Sequence, residues 1–128
     1  MMEIEIQING EKFEGELDEN MNPETVEGVK EAMPLKGEVQ SWGDEFYFRI
    51  PVDVEPENEK RYVNKGELGY WPEGNAFCIF FGETPGSPSD ERIKPASPVN
   101  VIGRIERPED LKNFEPGVKI EVREVDSN

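Results

Sequence analysis

The sequence predicts a mainly β protein, a closed eight-stranded antiparallel barrel with two short helices capping its ends. Three observations carry that expectation. Strand-length runs alternate apolar and polar residues, turn signals join neighbouring runs into hairpins, and no regular strand–helix–strand alternation occurs. At 128 residues the chain fits one domain, 1–128, long enough to bury most of its apolar surface around a single core. No internal repeat is visible.

The first run, EIEIQI at 3–8, places Ile4, Ile6 and Ile8 on one face and polar residues on the other, the pattern of a half-buried strand. NGE at 9–11 is a hairpin signal, and KFEGEL beyond it returns Phe13, Gly15 and Leu17 to one face. A helix comes next. Asn22 suits its cap, Pro23 its first position and Glu24 its positive end, while Val26, Val29 and Met33 share a stripe and Pro34 stops it. Further strands are expected at about 37–42, 45–52, 66–71, 76–82 and 98–105.

The segment after Ile50, PVDVEPENEKRYVNK, reads as a polar, solvated loop. Its carboxylates Asp53, Glu55, Glu57 and Glu59 lack the spacing and glycine of a calcium loop, so no metal site is expected. YWPEGNAFCIFFG at 70–82 is a second hairpin, with Pro72 at the corner and Gly74 suited to a positive φ; its second strand is apolar on both faces and should be central. Residues 83–98 contain four prolines and form a long loop, of the kind that is often functional in a compact domain. Pro108, Glu109 and Asp110 open a short helix, and Val118, Ile120, Val122 and Val125 mark a closing strand.

Composition excludes several chemistries. The formal charge of −15, with Glu supplying 23 of the 29 acids, repels phosphate backbones and anionic membranes, so neither nucleic acid nor membrane is an expected partner. The chain has no histidine, which removes histidine-based proteases and imidazole-bound zinc. Cys78 is the single thiol, so no internal disulfide forms, and its apolar strand suits an inert core thiol. No cofactor-binding motif stands out. The N-terminus MMEIEIQI resembles neither a signal peptide nor a membrane span, and a cytoplasmic location is the expectation. High Glu with two Gln and one Cys matches thermophile-like composition.

Charge is unevenly spread. Residues 64–105 hold Lys65, Arg92, Lys94 and Arg104 against five acids, a net of −1, so the other residues carry −14. The acidic remainder could dock on a basic partner, while the central section, with the aromatic hairpin and the proline-rich loop, is the candidate binding face. Within FYFRIPV at 46–52, Phe46, Phe48 and Ile50 share one strand face while Tyr47 and Arg49 share the other. Arg49 is either an ordinary solvated arginine or a cation held on the outer face for a ligand.

The order IEIQINGEKFEGEL, NPETVEGVKEAM, FYFRI, AFCIFFG, VIGRIERPEDLKNF resembles the cyclophilin family along nearly the whole chain. The family's T-x-E-x-F is present as Thr25, Glu27 and Val29, its F-H-R-I as Tyr47, Phe48, Arg49 and Ile50, and its F-G-K-V as Ile102, Gly103, Arg104 and Ile105. The resemblance implies an eight-stranded barrel with a helix across each end. It also places Arg49 where cyclophilins hold the arginine that assists rotation about an X-Pro bond. The glutamine-bearing M-x-Q-G segment is replaced by VDVEPENEKRYV, Val99 stands at the usual histidine position and Lys94 near the tryptophan. Only the arginine is matched, which counts against classical peptidyl-prolyl isomerase activity. The chain looks like the small, atypical cyclophilin-like proteins of archaea and thermophilic bacteria, whose role is unsettled. Related domains occur in oxoprolinase and allophanate-hydrolase type systems, which act on small carboxylates or amides.

Two functional expectations result. The first is a binding module holding a peptide or small carboxylate or amide ligand in a groove on the barrel exterior. Its candidate residues are Arg49, Tyr47, Tyr70, Trp71, Asn75, Phe77 and Phe81, with Cys78 or Phe80 replacing the last two if the strand register shifts by one. The second is a weak prolyl isomerase with Arg49 as its catalytic residue. No feature of the sequence sets the oligomeric state.

Overall fold

A computed structural model describes residues 1–125. Strands β1 (Met2–Ile8) and β2 (Glu11–Leu17) form the first hairpin, in antiparallel register from Met2 opposite Leu17 to Ile8 opposite Glu11. Asn9 and Gly10 turn it with φ of 51° and 86°, the two left-handed positions of a type I′ turn. Seven more strands complete the sheet: β3 (Leu35–Glu38), β4 (Gln40–Ser41), β5 (Glu45–Arg49), β6 (Glu67–Trp71), β7 (Ala76–Phe80), β8 (Asn100–Ile105) and β9 (Lys119–Glu124).

All strand pairs are antiparallel, in the order β3-β9-β1-β2-β8-β6-β7-β5-β4. The two ends of that order are neighbours in the chain. Only Val39 separates β3 from β4, so one bent segment pairs with β9 on one side and β5 on the other and nearly closes the barrel. Val39 is buried at the bend, where its N–H donates to the Val118 carbonyl at 3.0 Å and its carbonyl accepts from the Gly117 N–H at 2.7 Å. Counted as one bent strand, 35–41 gives the expected eight; counted as two, it gives nine. A Cβ on Gly37 would lie 2.9 Å from the Phe48 ring, so the crossing needs a glycine there.

The interior is filled by Ile4, Ile6, Ile8, Phe13 and Leu17 from the first hairpin, by Phe46, Phe48, Tyr70, Phe77, Ile79 and Phe81 from the central strands, and by Ile102, Ile120 and Val122. The helix α1 (Pro23–Ala32) adds Val26 and Val29 to this core, and a short 3-10 helix (Pro108–Asn113) adds Leu111. Met33 succeeds the helix as its C-cap and packs, partly buried, against the same core.

Two expectations are corrected. Asn22 does not cap α1. Its amide donates to the Val101 carbonyl (2.7 Å) and its carbonyl accepts from the Asn58 N–H (2.7 Å), so its polar atoms are committed elsewhere. The cap comes from Glu57, whose carboxylate accepts from the Glu24 and Thr25 N–H groups, both at 3.1 Å, and from the Thr25 hydroxyl at 2.9 Å. The segment 51–66 is likewise no freely solvated loop. Val52 and Val63 are buried, Lys60 bridges to Val99 and Val63 to Ile93. Buried Asn100 fastens it further, accepting from the Glu57 N–H (3.0 Å) and donating to the Glu55 carbonyl (3.2 Å) and the Thr25 hydroxyl (3.0 Å). Among the described residues no helix is long and apolar enough to cross a membrane.

Burial works to raise the Glu57 pKa, but the hydrogen bonds from Glu24 and Thr25 outweigh it and hold the carboxyl below its ordinary value of 4.5. A depressed carboxylate pKa contributes stability above the unfolded value that is lost as pH falls through the folded one. Glu57→Gln should therefore cost about 1 kcal/mol at pH 7, the usual effect of a lost N-cap. At pH 3 the cost should shrink, as read from urea unfolding midpoints at both pH values.

Candidate binding recess on the barrel wall

The pleat of β5 sends Phe46 and Phe48 into the barrel and leaves Glu45, Tyr47 and Arg49 on its outer wall. Across the ladder, Glu45 faces Phe80, Tyr47 faces Cys78 and Arg49 faces Ala76. Trp71 on β6 also pairs with Ala76. Ordinarily such a wall meets water. Here Ala76, Cys78 and Phe80 are buried in a second apolar cluster with Val63, Ile93, Val99 and Val101, because segments 51–66 and 81–99 lie over the outside of the sheet. That explains why β7 is apolar on both faces.

The cover is incomplete. Between it and the wall lies a recess of about 120 Å³ lined by Trp42, Glu45, Tyr47 and Trp71, with Pro95–Ser97 and Val99 from the proline-rich loop and its end. Tyr47 and Trp71 meet edge to face, with ring centroids 6.1 Å apart and planes at 90°. The loop that forms the lip is tied both within itself and to its neighbours. The Ser87 hydroxyl accepts from the Thr84 N–H (2.9 Å) and the Lys94 N–H (3.0 Å), and the Thr84 hydroxyl lies 2.8 Å from it. The Ser97 hydroxyl donates to the Glu73 carboxylate at 3.1 Å.

Two polar groups on the lining residues are conspicuous. Glu45 is only 5% exposed, and no basic side chain pairs with it among the described residues. Burial pushes its pKa up to about 7, partly offset by the Cys78 thiol beside it. Burial first, then the neighbouring Glu45 charge, raises the Cys78 thiol well above its ordinary range, consistent with an inert thiol. The second group is the Trp71 indole N–H, which is buried and has no hydrogen-bond partner among the described residues. A Cβ on Gly74 would collide with Cε3 and Cζ3 of that indole. The benzo edge therefore rests on the turn, and Nε1 lies on the opposite edge.

The residues expected at a groove are divided by the barrel wall. Tyr47 and Trp71 line the recess, and Arg49 is exposed further along the same face without an ion pair among the described residues. Tyr70, Phe77 and Phe81 point into the core instead. The Tyr70 hydroxyl donates to the Val52 carbonyl at 2.6 Å, while Phe77 and Phe81 pack on Phe48 and Phe46 with centroids 5.6 and 4.7 Å apart. The outward residues of that strand are Cys78 and Phe80, the alternative register. Asn75 takes the positive φ (50°) expected at Gly74, and its amide donates to the Val52 carbonyl (3.1 Å) and the Tyr70 hydroxyl (3.1 Å). Trp42, Glu45 and Pro95–Ser97 were not among the expected site residues. Val99, noted at the family's histidine position, does line the recess; Lys94 does not.

Comparison with known proteins agrees with the fold. The family model described as cyclophilin-like matches residues 2–123, and the chain belongs to that family. The solution structure of the hypothetical protein AF2241 from Archaeoglobus fulgidus is 43% identical, with 97% of this chain and 95% of that one covered and a TM-score of 0.79. The structure of McbB in complex with tryptophan is similar in fold, with a TM-score of 0.73 at 16% identity, over 94% of this chain and 44% of that one. No curated protein matches the sequence.

An acid whose pKa is raised on folding destabilises the fold as pH climbs. The unfolded chain releases the Glu45 proton near 4.5, whereas the folded one holds it to about 7. Glu45→Gln should accordingly leave stability almost unchanged at pH 4 and increase it by on the order of 3 kcal/mol at pH 8.5. Paired denaturant titrations at the two pH values check this.

Proposed function

We propose that the chain is a binding module that holds a peptide segment or a small carboxylate or amide ligand in the outer-wall recess. The single observation that carries the reading is the buried Trp71 N–H without a partner among the described residues, on a side chain that lines an aromatic concavity. An unsatisfied buried donor costs roughly 1–3 kcal/mol, and a ligand oxygen placed against it would recover that cost. The aromatic walls supply apolar contact, and the few polar groups orient what enters. The groove proposed is thus built from Tyr47 and Trp71 together with Trp42, Glu45 and Val99, and Arg49 stands outside its lining.

Titrating ¹⁵N-labelled protein with capped dipeptides, small acids and amides tests this. Free tryptophan belongs in that panel, since the distant structural relative McbB holds it. Resonances of Trp42, Tyr47, Trp71 and Ser97 should shift together, and Ala96→Trp, which fills the recess, should weaken binding by more than about tenfold. Unchanged binding in that variant would remove the recess as the site.

The isomerase reading has one observation in its favour, the exposed Arg49 guanidinium with no ion pair among the described residues. In a protease-coupled assay on an Ala-Pro peptide the expected rate equals background. A faster rate that disappears in Arg49→Ala would raise this activity above simple binding.

A further inference from the structure

We propose that the recess selects a neutral amide group over the corresponding carboxylate and amine, with Glu45 taking the amide N–H and the Trp71 indole N–H giving its proton to the amide oxygen. This rests on the reading of the recess as the binding site and adds the chemistry of its guest.

Both residues line the same small concavity; one contributes a carboxyl and the other a donor that can never accept. A guest that satisfies both must offer an N–H and a carbonyl oxygen within one compact group, which an amide does. A carboxylate could accept from Trp71, but it would bring a second negative charge to Glu45 inside a chain of formal charge −15. No cation stands in the lining to compensate. An amine could meet Glu45 but would leave the indole N–H unsatisfied, as it is now.

Apart from Glu45, the lining residues carry no charge; a further carboxylate, Glu73, stands outside the lining at the lip. From β5 there is Tyr47, whose hydroxyl donates outward to Gln40 Oε1 at 3.3 Å; from β7 there is Cys78, whose pKa is raised so that the thiol stays neutral. Trp42, Pro95, Ala96 and Val99 bring no titratable group. Ser97 is already engaged with Glu73 at the lip. The apolar remainder of the guest would lie among Trp42, Tyr47 and Trp71.

The experiment uses three probes of one shape, benzamide, benzoate and benzylamine, titrated at pH 8 into ¹⁵N-labelled full-length protein. The two indole N–H resonances are assigned with Trp42→Phe. Benzamide should bind at least about tenfold more tightly than either analogue, equivalent to about 1.4 kcal/mol, and should move the Trp71 indole proton downfield. In Glu45→Gln the advantage of benzamide over benzoate should fall several-fold, and Trp71→Phe, which keeps the ring contact, should weaken benzamide about tenfold. If benzoate or benzylamine binds in the recess as tightly as benzamide, the selectivity is wrong while the recess stands. If no probe perturbs the recess resonances, the binding site and the selectivity fall together.

Discussion

Residues 35–41 hold both edges of the sheet at once, and the division of side chains between barrel interior and outer wall depends on that double attachment. Leu35–Glu38 pairs with β9, Gln40 and Ser41 pair with β5, and Val39 bends between them. With β5 fixed from one side by β4 and from the other by β7, its register cannot slip by one residue. Such a slip would exchange every inward side chain for an outward one. Phe46 and Phe48 are thereby committed to the barrel interior, and Glu45 and Tyr47 to its outer surface. The close passage of Gly37 over the Phe48 ring belongs to the same closure.

Enclosing a carboxyl on an outer wall takes a second layer, and polar contacts fasten that layer alongside its buried valines and Ile93. Glu57, Asn58 and Asn100 join segment 51–66 to the start of α1 and to β8, while the bridges at Lys60 and Val63 lay it along the neighbouring loop. Asn22 and Asn100 are fully buried, yet each has both ends of its amide engaged, which is the condition under which buried amides are tolerated. The helix start, the cover and the wall are therefore one connected unit. Exposed pairs such as Arg104–Glu16 and Arg123–Glu5 sit on the opposite part of the sheet and engage two of the few arginines in an acidic chain.

The barrel was legible because hairpin turns and alternation are local signals. Asn9–Gly10, the Ile4, Ile6 and Ile8 triplet and the doubly apolar strand at 76–80 each specify their own geometry. The site was legible only in part. Alternation put Tyr47 on the outer face, and low net charge marked the section that holds Trp71 and the proline-rich loop. Tyr70 was expected beside Trp71 although neighbouring strand residues face opposite ways; it turns inward, and the Val52 carbonyl that satisfies its hydroxyl is not marked by any local pattern. Glu45 was missed for a related reason. An acid at the start of a strand normally meets solvent, and it is loop residues about fifty positions later that help to cover it. The same distance hid Glu57 as the cap of α1. A glycine can also mislead: Gly74 sits in its turn as expected, but Asn75 takes the positive φ, and the glycine is required for the space its missing side chain leaves to an indole.

The self-contained knot of Thr84, Ser87 and Lys94 has a consequence for how anything could enter the pocket. Its hydrogen bonds run within the loop rather than to the barrel, so the lip has a shape of its own before a guest arrives. Ordering a mobile flap usually consumes a large share of the free energy of association, and a rim that is already set avoids much of that loss. A mouth braced in this way favours guests that fit as they come over larger ones that would have to reshape it.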